Sequence, residues 1–81
     1  MRTRTAYRLT GDITATLSDA ASVLDTARRN LVTAQPSDVE AACREMSSWL
    51  NARPLPGSSK EFCAGKYRFT LSFVILSPSK S

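Results

Sequence analysis

The side chains able to do chemistry in this 81-residue chain are two cysteines, seven carboxylates and eleven lysines and arginines, with no histidine among them. Without histidine, neither a Ser-His-Asp nor a Cys-His nucleophile can be assembled, and the commonest metal ligand is missing. Zinc would fall to Cys43 and Cys63 with carboxylates, yet the two thiols are far apart, with no Cys-x-x-Cys spacing and no ligand pattern beside either. Gly11, Gly57 and Gly65 are scattered, so neither Gly-x-Gly-x-x-Gly nor a phosphate loop ending in Gly-Lys-Ser/Thr can be written. The expectation is a protein that is not an enzyme, with no catalytic residue, no metal and no cofactor.

The thiols themselves read as structural. Cys43 falls on the apolar side of a predicted helix, where it behaves as a small core residue. Cys63 stands beside Phe62 in a short strand signal, where either face is open to it. With no secretory signal ahead of them, both are expected to be free in a reducing compartment.

What remains is the cations, and their layout matters more than the net charge of +4. Arg2, Arg4 and Arg8 open the chain with no acid between them. Beyond residue 52, Arg53, Lys60, Lys66, Arg68 and Lys80 face Glu61 alone, whereas the stretch between is acidic on balance. Positive charge is therefore gathered in whatever elements form the two ends.

Those elements follow from periodicity. From Thr3 to Leu9 the residues alternate, with Thr3, Thr5, Tyr7 and Leu9 on one side and Arg2, Arg4, Ala6 and Arg8 on the other, the mark of a half-buried strand. Gly11-Asp12 is a turn signal where this strand can stop, although Ile13 and Ala15 could also extend it, so the boundary between Thr10 and Thr16 stays open. Thr16 and Asp19 have the spacing of a capping box, and Leu17, Ala20, Leu24, Ala27 and Leu31 then recur at helical intervals, predicting a helix from about Leu17 to Val32. A second helix is predicted from a Ser37/Glu40 capping box, with Val39, Ala42, Cys43, Met46, Trp49 and Leu50 as its apolar stripe and Pro54 as its stop. The short Thr33–Gln35 connection makes the two helices antiparallel.

Arg53 to Ser59 has the composition of an extended loop. Lys60–Ala64 is a short strand, Gly65 a tight turn, and Lys66–Leu76 the strongest strand signal in the chain. Tyr67, Phe69, Leu71, Phe73 and Ile75 share one parity, while Lys66, Arg68, Thr70 and Ser72 share the other. The fold class is α+β, a small antiparallel sheet with two antiparallel helices on one face, in the order β-α-α-β-β over a single domain, residues 1–81. Phe69 to Leu76 is β-prone and nearly free of charge, so it belongs at the centre of the sheet, under a neighbouring strand or in a homodimer.

If the first and last strands share that sheet, parity gathers Arg2, Arg4, Arg8, Lys66 and Arg68 on its open face as a partner-binding surface. Its occupant would be the acidic surface of a protein or nucleoprotein complex, or nucleic acid through its phosphates. A sheet that reads single-stranded RNA displays aromatic rings on its open face, but here the aromatics share the helix-facing parity. Arg28-Arg29 is explained by the dipole at a helix C-terminus, and no basic recognition helix of a helix-turn-helix is visible.

In size, compactness, missing catalytic groups and charged face the chain resembles the small single-domain inhibitors of phages and mobile elements, in particular anti-CRISPR proteins. That resemblance implies steric blockade of a nucleoprotein effector. It carries across no residue, because those proteins share no motif, and this chain is basic where many of them are acidic DNA mimics. At 8.8 kDa only one thin core can form. The apolar run Phe73–Leu76 is far short of the ~20 residues of a membrane span, and the basic N-terminus leads into no signal-like apolar stretch. The expected protein is therefore cytoplasmic, without a membrane partner, and a monomer or homodimer.

Overall fold

The computed structural model describes residues 4–76. The chain runs β1 (Arg4–Gly11), β2 (Ala15–Leu17), α1 (Ala20–Asn30), α2 (Pro36–Asn51), β3 (Ser59–Ala64) and β4 (Tyr67–Leu76). The strands form one antiparallel sheet in the order β2-β1-β4-β3, and both helices pack on the same face. This is the expected α+β architecture with one strand added, β2. No helix of the described residues is long and apolar enough to cross a membrane.

The added strand resolves the open boundary. β1 stops at Gly11, the chain turns through Asp12 and Ile13, and Ala15–Leu17 folds back with Leu9 opposite Ala15 and Tyr7 opposite Leu17. Ala15 and Leu17 therefore belong to a strand face, not to a helix, although their spacing suits both. Thr16 consequently caps nothing. The helix starts instead at Asp19, whose backbone is extended and whose carboxylate accepts the Ser22 N–H at 2.8 Å. These Ser22 hydrogen bonds hold the Asp19 carboxyl below its ordinary range. Arg28 and Arg29 close the last turn of α1, where cations face the negative end of the dipole.

α2 also begins earlier than its capping box suggests. Gln35 is the N-cap with no side-chain bond, and Pro36 occupies the first turn, where its fixed φ suits the helix and its missing N–H costs nothing. Ser37 is thereby drawn inside the helix. The far end is closed by Ala52, and Arg53 leaves it at a positive φ of 57°.

The core lies between sheet and helices. Leu9, Phe62, Phe69 and Leu71 project from the sheet toward Val23, Ala27 and Leu31 of α1 and its C-terminal turn, and toward Ala42, Cys43 and Met46 of α2. Phe62 and Phe69 are cross-strand partners whose rings lie 6.0 Å apart. β4 is central, between β1 and β3, which covers the aggregation-prone run as far as Phe73. From Val74 to Leu76 it pairs with β1 alone. Tyr7 stacks on Phe73 at 4.9 Å just before that two-stranded end.

Burial separates the two thiols. Cys43 is buried in the core, and desolvation pushes its thiol pKa up, while Cys63 is exposed on β3. A disulfide-exchange reagent is expected to modify one thiol per chain rapidly in the native protein. The second should react only as the chain unfolds; two fast equivalents would mean that α2 does not seal Cys43.

Candidate functional site: an arginine-bearing sheet face

With both helices on one side, the other side of the sheet has no covering layer among the described residues. Register determines which residues it carries. Leu9 and Leu71 are opposite each other and point to the core, so their sequence neighbours Arg8 and Ser72 are opposite each other and point away. The same alternation sends Arg4, Ala6, Thr10, Thr16, Arg68, Thr70, Val74, Glu61 and Cys63 to the open face, where Ala6 is buried among its larger neighbours. Arg4 and Arg8 stand roughly 13 Å apart along β1, four residues at the strand rise, and Arg68 continues the line on β4 beyond Thr70.

Two contacts pin the Arg68 end. The Asp12 carboxylate accepts the Arg68 N–H at 2.8 Å, and the Asp12 N–H donates to the Arg68 carbonyl at 2.9 Å. The Arg68 backbone is thus locked while its guanidinium stays exposed. Among the described residues the ion pairs lie on the helices, Arg28 with Glu40 at 3.9 Å and Arg29 with Asp25 at 3.1 Å. Arg4, Arg8 and Arg68 carry no such partner there. The acids beside them are Asp12, whose carboxylate is bound to the Arg68 N–H, and Glu61, opposite Thr70.

Of the sequence-derived residues, Arg4, Arg8 and Arg68 are therefore brought to one surface. Arg2 lies outside the described residues. Lys66 is corrected: it sits with Gly65 in the two-residue turn between β3 and β4, not in the strand. There it lines a cavity of about 270 Å³ with Asp38, Ala64 and Tyr67 on the α2 side of the molecule. The missed signal was Gly65 itself. Its φ of +64° followed by a residue at negative φ is the pattern of a type II′ turn, which takes both central residues out of the alternation. β3 aims Lys60, opposite Leu71, to the helix side, with Nζ 5.8 Å from the centre of the Phe62 ring.

Among the described residues no group of three or more cysteines, aspartates and glutamates gathers as metal ligands would. A polar groove of about 510 Å³ runs between the helices, with Arg28, Glu40, Arg44 and Ser47 on its walls. Comparison with protein-family models, curated proteins and solved structures returns no match to this chain. The functional reading therefore rests on the surface alone.

Proposed function

We propose that this protein is a non-enzymatic binding domain that acts by covering a surface of its partner, with Arg4, Arg8 and Arg68 as the contact. The partner offers an acidic patch on a protein or nucleoprotein assembly, and the outcome is steric inhibition of the kind exerted by anti-CRISPR proteins. The observation that carries this reading is the uncovered sheet face, on which these arginines lie near Asp12 and Glu61 yet are engaged in no ion pair among the described residues. Ala6 and Val74 lie between Arg4 and Arg8, and Thr10, Thr70 and Ser72 lie between Arg8 and Arg68, a mostly small set of side chains that lets a flat partner approach the guanidinium groups. Arginine suits such a role because its planar fork grips carboxylates or phosphates in pairs. The absence of aromatic rings from this set favours charge contact over base stacking.

Reversing all three charges, Arg4→Glu with Arg8→Glu and Arg68→Glu, is expected to weaken partner binding at least ~100-fold. The thermal midpoint should move little, since exposed substitutions of this kind each change stability by about 0.5 kcal/mol or less. Affinity capture with the parent and the triple variant side by side reads the first quantity, and a melting curve the second. A variant that still captures the same partner, or one that no longer folds, removes these arginines from the contact. Duplex DNA titrated at low and moderate salt separates the phosphate alternative. Three phosphate contacts give a log-log salt slope of magnitude near ~3, and no binding at low salt leaves the acidic protein surface.

A further inference from the structure

The two edges of the sheet are unequal. β2 is three residues long and contacts α1, whereas β3 runs for six residues with no strand on its outer side among the described residues. The two-residue turn at Gly65-Lys66 makes Ala64 and Tyr67 a hydrogen-bonded pair, and the alternation then binds Phe62 to Phe69 and Lys60 to Leu71. The N–H and C=O groups of Ser59, Glu61 and Cys63 are therefore directed outward, a ladder half built.

A seam runs beside this ladder. α2 lies along β3 with its beginning at the Gly65 turn, where the Asp38 carboxylate comes close to the glycine, and its end near Lys60. A cavity opens at each end of the seam. One, of about 520 Å³, is lined by Glu45, Trp49, Ala52 and Lys60, and the other is the 270 Å³ cavity of Asp38 and Tyr67. Lys60 and Ala64, which mark the two ends on the strand, share one strand face and are roughly 13 Å apart at the strand rise. Side chains at i and i+4 of an added strand span the same interval.

We propose that the β3 edge and its seam with α2 bind a short extended segment of a partner protein, which joins the sheet as a fifth strand. A large apolar side chain of that segment packs on Trp49 and Ala52. Four residues away, a basic or amide side chain meets Asp38, which is half-buried and has no ion pair among the described residues. A second copy of this chain fits the edge poorly. Two-fold antiparallel pairing through the outward groups of residues 59–63 places Glu61 opposite its own copy, and the next such register toward the strand start, over residues 59–61, does the same to Lys60. This site is on the opposite side from the arginine face and is independent of it.

The test uses the full-length protein and randomised nine-residue linear peptides displayed on phage. Enriched peptides should share a large apolar residue, and synthetic copies should shift the emission of Trp49, the single tryptophan of the chain. Glu61→Pro removes an outward N–H without touching the β3–β4 ladder and should weaken peptide binding at least ~10-fold at an unchanged thermal midpoint. Ala52→Lys, which crowds the apolar cavity from an exposed helix end, should do the same and decides the matter if the proline variant fails to fold. No enrichment, or binding indifferent to whichever of these variants fold, overturns the proposal. So does a dimer in sedimentation that Glu61→Pro dissolves, because that result gives the edge to a second copy. The triple arginine variant should retain full peptide affinity, so failure of either surface is read separately.

Discussion

Gly11→Val is expected to destabilise the domain by about 4 kcal/mol, enough to leave much of the chain unfolded at 37 °C. Gly11 holds φ at +108°, a region that a β-branched residue enters only with strain. A Cβ there would lie 2.8 Å from the Arg68 carbonyl oxygen and 3.1 Å from the Phe69 Cα, both rigid backbone of the central strand. The clash has no flexible side chain to absorb it. Moving β1 away would also break the reciprocal Asp12–Arg68 bonds that close this end of the β1–β4 pair. Urea denaturation measures the loss, and a change below ~1 kcal/mol would show that residue 11 can relax to negative φ without cost.

Phe69→Ala is expected to cost about 3–5 kcal/mol. Phe69 is 1% exposed at the meeting of β4, β3 and the helices, and its ring stacks on Phe62. Truncation removes the largest fully buried side chain of the central strand and leaves a cavity walled by its neighbours. A domain of this size has only ~4–12 kcal/mol of stability in total, so the substitution consumes a large share of it. The expected signature is a denaturation midpoint lowered with an unchanged slope. A loss near that of an exposed site, under ~1 kcal/mol, would mean that the sheet does not pack against the helices through this residue.

Much of this was legible beforehand. The alternation of Tyr7 and Leu9 with Arg8, and of Phe69 and Leu71 with Arg68, already assigned inner and outer faces, since a strand has a period of two residues. The α2 stripe Val39, Ala42, Cys43, Met46 and Leu50 is buried as its spacing requires. Less was legible around Ala15 to Leu17, where three residues match a strand and a helix equally and the choice falls to the partner strand. Alternation does not extend to Lys66, because Gly65 and Lys66 form a turn whose glycine breaks the parity.

The candidate surfaces divide in the same way. That Arg4, Arg8 and Arg68 point away from the core follows from local chemistry, because successive side chains of a strand point to opposite faces and an unpaired charge is left to the wet one. That they share a surface depends on β1 lying directly beside β4, a pairing between opposite ends of the chain that no local pattern encodes. The free β3 edge and its seam with α2 likewise exist only because the strand order leaves β3 outermost. Sequence determined the elements and their inner faces, since these follow from periods of a few residues. Which strands became neighbours was decided by tertiary packing, where contacts distant in the chain compete to bury one small core.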